Sequence, residues 1–163
     1  MIKMIVLDVD GTLTDGKIYM GANGEIMKAF NAHDAIGVRK LKDNNITSVI
    51  ITGRKSNITL NRAKEMNVDF VYQDVINKLP KLKEIAENLN IKYEEIAYIG
   101  DDENDFESMM ICGLKCCPND AMDIIKSNCD IISRYNGGAG AVREIIEMII
   151  NKNGGEKWFF IMQ

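Results

Sequence analysis

The sequence predicts an α/β sandwich, a parallel sheet covered by helices on both faces, and three observations lead to it. Short β-branched runs alternate with longer helical patterns along the 163 residues, as strands joined by crossover helices do. The first run, "MIVLDVDGTLTDG", is apolar and then ends in two aspartates one residue apart. The other polar clusters also fall at the ends of strand-like runs, where doubly wound sheets collect their ligands.

In chain order, strands are expected at residues 2–9, 47–51, 70–72, 96–99, 114–116 and 130–132. Between them "DAIGVRKLKDNN", "NITLNRAKEM", "LPKLKEIAENL", "NDFESMMI" and "AMDIIKSN" read as helices, and "GAVREIIEMIINKN" as an amphipathic closing helix. Met109 and Met110 are assigned to core packing. Residues 17–30 break the alternation: "KIYMGANGEIMKAF" has two strand-like arms around a Gly/Asn turn and reads as a β-hairpin flap. Such a hairpin is marginal alone in water, so Ile18, Met20, Ile26 and Phe30 need a partner. The closing "GGEKWFFIMQ" places large apolar residues, Trp158 to Met162, after two glycines. A solvated tail would not look like that, so residues 154–163 are expected to dock on something. With no linker or repeat in view, residues 1–163 are expected to form a single domain.

With 46% hydrophobic and 27% charged residues, the composition is that of an ordinary globule. The net charge of -4 gives no reason to expect nucleic acid or an anionic membrane as partner. "MIKMIVLD" reaches an acid too soon for a signal peptide, and no run is apolar enough to span a membrane, so the expected compartment is the cytoplasm. Cys112, Cys116, Cys117 and Cys129 are then reduced and mostly buried, and their spacing fits none of the usual zinc knuckles.

The chemistry lies at the strand ends. The first strand ends in Asp8, Asp10, Gly11 and Thr12, and the second in Thr52, Gly53 and Arg54. Lys78 follows the third at a helix start with Pro80 in its first turn, and the fourth supplies Asp101, Asp102, Asn104 and Asp105. Each piece alone has a dull explanation as a turn, a cap or a solvated lysine. Convergent carboxylates with too few bases imply a divalent cation, and all-oxygen ligands suit magnesium. Beside a hydroxyl, a lysine and exposed backbone amides, such a metal makes a site for phosphoryl transfer, with a carboxylate as nucleophile.

"DVDGT", "TGR", Lys78 and "GDDEND" resemble the four motifs of the haloacid dehalogenase superfamily of phosphatases, over almost the whole chain. More narrowly, "DVDGTLTDG", the hairpin, "FNAHDAIGVRKL", "ITGRKS", "AYIGDDEND" and "GGAGAVRE" resemble the small 3-deoxy-D-manno-octulosonate 8-phosphate phosphatases, and sialic-acid-type 9-phosphate phosphatases share most of the pattern. The resemblance implies a Rossmannoid three-layer sandwich without a cap domain. It implies Asp8 as nucleophile, Asp10 as general acid/base, and phosphoryl binding by Thr52 and Lys78. Magnesium would be held by Asp8, the Asp10 backbone carbonyl and Asp101. Gly53, Arg54 and Asn104 join the candidate phosphate- and substrate-binding set, with Arg54 placed to pair with a sugar-acid carboxylate. The implied assembly is a tetramer in which neighbouring subunits close each site. His33 is expected as a helix-start residue near solvent, while Asp34 fits either a helix start or the site, and Ala35 stands where relatives carry glycine. A phospho-accepting receiver module is the rival from another class, although receivers use an aspartate on the third strand, where only Asp74 is available.

Overall fold

Six parallel strands form the central sheet of the computed structural model, which describes residues 1–154. The elements are β1 (Met4–Leu7), β2 (Tyr19–Gly21), β3 (Gly24–Met27), α1 (Ala32–Asp43), β4 (Thr47–Ile51), α2 (Asn57–Glu65), β5 (Phe70–Tyr72) and α3 (Lys78–Asn88). They continue with β6 (Ile96–Ile99), α4 (Glu103–Ile111), β7 (Leu114–Cys117), α5 (Asp123–Lys126), β8 (Ile131–Ile132) and α6 (Ala141–Asn153). The sheet order is β5-β4-β1-β6-β7-β8, with β2 and β3 forming a separate antiparallel hairpin.

Period-two alternation builds two cores from this one sheet. Ile5, Leu7, Ile50, Ala97, Ile99 and Cys116 point to one face, where Val38 and Leu41 of α1 and Val142, Ile145 and Ile149 of α6 cover them. Met4, Val6, Val49, Ile51, Tyr98 and Cys117 point to the other, under Leu82 and Ile85 of α3 and Met109 of α4. All these side chains are buried, so the strands carry apolar residues on both faces. The result is the three-layer sandwich expected, with no inserted cap: only the hairpin and α1 lie between β1 and β4, and only α2 and β5 between β4 and Lys78.

The order in which strands are added reverses at β1, which pairs in parallel with β4 on one side and β6 on the other. That crevice is the topological switch point of a doubly wound sheet. β1 is shorter than residues 2–9, because the Val9 carbonyl accepts the amides of Thr12, Leu13 and Thr14 and curls the chain out of the sheet. β8 shrinks to Ile131–Ile132, and α1 starts earlier than Asp34, with the Asn31 side chain capping the His33 amide. The hairpin forms with Gly24 at φ +109 after its turn. Of its apolar positions, Met20 and Ile26 are exposed along with Tyr19 and Met27. Phe30 behaves differently: it packs on its own core, with the Arg62 guanidinium over its ring. Cys112, Cys116 and Cys117 are buried small hydrophobes, as expected. Residues 158–162 of the apolar tail lie outside the described residues.

Candidate active site

Asp8, Lys78, Asp101 and Asp105, four of the polar residues that the sequence places at strand ends, converge at the carboxyl ends of β1 and β6. Asp8 follows β1, and its amide still bonds to the Ile99 carbonyl, so the sheet itself fixes its backbone. Thr52 is buried just past β4, its amide donating to the Tyr72 carbonyl and its carbonyl accepting from Val75. Lys78 opens α3 and reaches back, fully buried, to donate to Asp8 Oδ1 at 2.5 Å and Asp105 Oδ1 at 2.7 Å.

Asp105 is the anchor of this group. Its Oδ1 also accepts from the Tyr98 hydroxyl at 2.8 Å, and its Oδ2 accepts the Asp101 amide at 3.2 Å. Gly100 makes room for it, since a Cβ there would lie 2.6 Å from the Asp105 carboxyl carbon. Asp101 accepts from the Thr12 hydroxyl and lies against the backbone of Gly11, where a Cβ would meet its Oδ2 at 2.0 Å. Gly11 has φ +96, so glycine is required here on both counts.

The oxygens of Asp8, Asp101 and Asp105 come within 4.8 Å of one another. Burial and then the Asp105 charge push Asp8 well above its ordinary range, with Lys78 pulling the other way. The same causes raise Asp101 to about 7. Lys78 is held above its ordinary value, because Asp8 and Asp105 outweigh the burial that would lower it. Three carboxylates against one ammonium leave a deficit that a divalent cation fills. Since both oxygens of Asp105 are already engaged by protein donors, Asp8 and Asp101 are the side chains free to ligate it. An all-oxygen set of this kind fits magnesium.

Asp10 belongs to a different compartment. It bonds to Lys28, which also pairs with Glu25 Oε1 at 3.0 Å, and Arg54 Nε lies 3.9 Å from its second oxygen. Glu25 in turn accepts from the Ser56 hydroxyl, the cap of α2. Burial would raise Glu25, yet Ser56 and Lys28 hold it below its ordinary value. Two acids and two bases balance here, so the Asp10 side chain has no call for a metal. The carboxylates that raise Asp8 are Asp105 and then Asp101.

The remaining expectations divide cleanly. Arg54 borders Asp10 with about half its side chain exposed (47%), and Gly53 lies beside the Val75 carbonyl. Asn104 is exposed on the first turn of α4 and makes none of the bonds that tie the carboxylates together. His33 is an exposed helix-start residue. Asp34 is buried and accepts the Arg143 amide at 2.8 Å, capping α6 from α1. The loop Gly137–Gly138 buttresses the turn after Asp10: a Cβ on Gly137 would lie 1.9 Å from the Gly11 carbonyl oxygen, and the Gly138 amide donates to Thr12. Sequence reasoning missed Lys28, Glu25 and Tyr98; the "EIMK" spacing of an acid and a base was the only local signal.

Residues 55–146 match a family model described as haloacid dehalogenase-like hydrolase. The chain is 40% identical over 153 residues to the 3-deoxy-D-manno-octulosonate 8-phosphate phosphatase KdsC of Escherichia coli K12, covering 94% of this chain and 81% of that protein. Among solved structures it is similar to the 3-deoxy-D-manno-octulosonate 8-phosphate phosphatase of Moraxella catarrhalis in complex with magnesium, phosphate and KDO. That match has a TM-score of 0.88 and 36% identity, covering 93% of this chain and 86% of the other. The cobalt-bound phosphatase YrbI of Haemophilus influenzae matches with a TM-score of 0.90 and 32% identity, covering 94% and 90%.

Proposed function

Since the chain belongs to the haloacid dehalogenase-like hydrolases, we propose that it is the magnesium-dependent phosphatase that hydrolyses 3-deoxy-D-manno-octulosonate 8-phosphate to the free sugar acid and inorganic phosphate. The observation that carries this reading is the charge-deficient cluster of Asp8, Asp101 and Asp105 around Lys78, at the switch point of a sheet matching that of the Moraxella phosphatase.

Asp8, Asp101 and the Asp10 carbonyl would hold the magnesium, which would neutralise charge on the nucleophile and the phosphoryl oxygens. Asp8 attacks phosphorus, and its new O–P bond forms as the bond to the sugar oxygen breaks. Asp10 passes a proton to that departing oxygen. Lys78 and the Thr52 hydroxyl and neighbouring amides stabilise the transferring group. Water then attacks phosphorus, Asp10 takes its proton, and the bond to Asp8 breaks to release phosphate. Asp105 and Tyr98 keep Lys78 aimed at the transferring group, and Arg54 meets the sugar-acid carboxylate.

Residues 1–163 work as one catalytic domain in the cytoplasm, in the biosynthesis of a lipopolysaccharide sugar. The working form is a homotetramer in which exposed hairpin faces associate and neighbouring subunits enclose each site. The primary test is phosphate release from 3-deoxy-D-manno-octulosonate 8-phosphate with magnesium and after chelation. Turnover should require the metal, and Asp8→Asn and Asp10→Asn should each lose at least about a hundredfold. Near-normal turnover by Asp8→Asn would remove the aspartyl-phosphate route.

A further inference from the structure

A lysine is the least expected residue to find enclosed on a hairpin whose other face is bare. Lys28 lies just past the end of β3, yet its side chain is only 1% exposed, while Ile26 and Met27 beside it are 65% and 50% exposed. Enclosing an ammonium is unfavourable unless charged partners receive it. Its partners are Asp10 Oδ1 and Glu25 Oε1, and Glu25 is itself fastened to Ser56 at the cap of α2.

A staple holding the hairpin to its domain would be complete with the Glu25–Ser56 bond alone. Lys28 goes further and engages one chosen oxygen of Asp10. Lys28 holds Oδ1, while Oδ2 has Arg54 Nε at 3.9 Å and accepts no hydrogen bond from a described residue. We propose that Lys28 is a positioning residue for proton transfer: it fixes the Asp10 carboxyl so that Oδ2 alone carries the proton to the leaving sugar oxygen and later takes one from water. The Glu25–Ser56 contact fixes Lys28 in turn, so the hairpin belongs to the machinery of proton transfer as well as to the enclosure of the site. This inference rests on the assignment of Asp10 as general acid/base in the proposed function.

The leaving group separates this role from a scaffolding one. A sugar alkoxide must be protonated as it departs, whereas 4-nitrophenoxide leaves as a stable anion. Rates of the first turnover are therefore to be compared for 3-deoxy-D-manno-octulosonate 8-phosphate and 4-nitrophenyl phosphate, in wild type, Lys28→Met, Lys28→Arg and Glu25→Gln. Lys28→Met should slow sugar release by about tenfold or more and nitrophenol release by less than about threefold, a part of the usual contribution of acid catalysis. Lys28→Arg should recover part of the loss, and Glu25→Gln should show the same selectivity at smaller amplitude. If Lys28→Met does not fold, the selectivity of Glu25→Gln decides. Equal losses on both substrates, or a rise in KM for the sugar phosphate with the first-turnover rate unchanged, would overturn the inference. A wild-type protein unable to release phosphate from the sugar phosphate would instead overturn the proposed function.

Discussion

Arg54 shows what one side chain at the rim can decide. It stands 3.9 Å from Asp10 with 47% of its side chain exposed, so its guanidinium edge is open to a ligand in the site. Arg54→Ala should weaken turnover of the sugar-acid phosphate by about 2 kcal/mol, the scale of a charge-assisted bidentate pair. 4-Nitrophenyl phosphate, which has no carboxylate, should be cleaved about as before; comparing kcat/KM for the two substrates checks this. Arg54, Thr52, Lys78 and Asp101 were legible in the sequence because a parallel sheet brings its strand ends together whatever the packing details. Lys28 was not. It lies beyond β3, where strand alternation no longer says which way a side chain points, and only the docked hairpin reveals that it turns inward. The opening pair, Asp8 and Asp10, stood out in the sequence, but its division of partners did not. Lys78 comes from α3 and Lys28 from the hairpin, and neither contact is written in local spacing.

At the scale of elements, Asp34 joins two helices by completing the end of one from the interior of the other. Gly140 precedes α6 with φ +101 and no side chain to cap it, and the Asp34 carboxylate accepts the Arg143 amide in its place. Sequence alone left Asp34 between a helix start and the site, because a charge in the first turn of α1 satisfies its own helix dipole equally well. Burial, only partly offset by the Arg143 amide and the charge of Arg62, raises Asp34 to about 6. A folded-state value above the unfolded one means that the native protein binds the extra proton. The associated stability is full below about pH 4 and is lost as pH rises through about 6. Asp34→Asn keeps an acceptor for Arg143 without the charge. Relative to wild type it should therefore gain on the order of 2 kcal/mol between pH 4 and pH 7.5. Urea unfolding of both proteins across that range checks the prediction; a constant difference would contradict it. Phe30 teaches the same lesson at an element's edge. Its apolar side chain looked like interface, yet it completes the core under Arg62 and leaves Met20 and Ile26 as the bare positions of the hairpin.

For the molecule as a whole, those bare positions are the basis for the proposed assembly. A two-stranded hairpin exposing Tyr19, Met20, Ile26 and Met27 has little reason to be stable unless another surface covers it. The double substitution Met20→Glu, Ile26→Glu should yield a smaller sedimenting species at micromolar concentration, with sugar-phosphate turnover lost in parallel. A wild-type protein that sediments as a fully active monomer would exclude shared sites. At the other end of the sheet from the aspartates, α6 ends where the Asn153 side chain bonds to both backbone groups of Ile2. The position of β1 carries a consequence of another kind. It is hydrogen-bonded along both edges and buried on both faces, whereas the hairpin strands, among the described residues, pair only with each other. In deuterium oxide the amides of Val6 and Leu7 should exchange only through global opening, and those of β2 and β3 through openings that leave the sheet intact. The aspartate proposed as nucleophile thus hangs from the last part of the molecule to open, and the lysine proposed to steady Asp10 from one of the first.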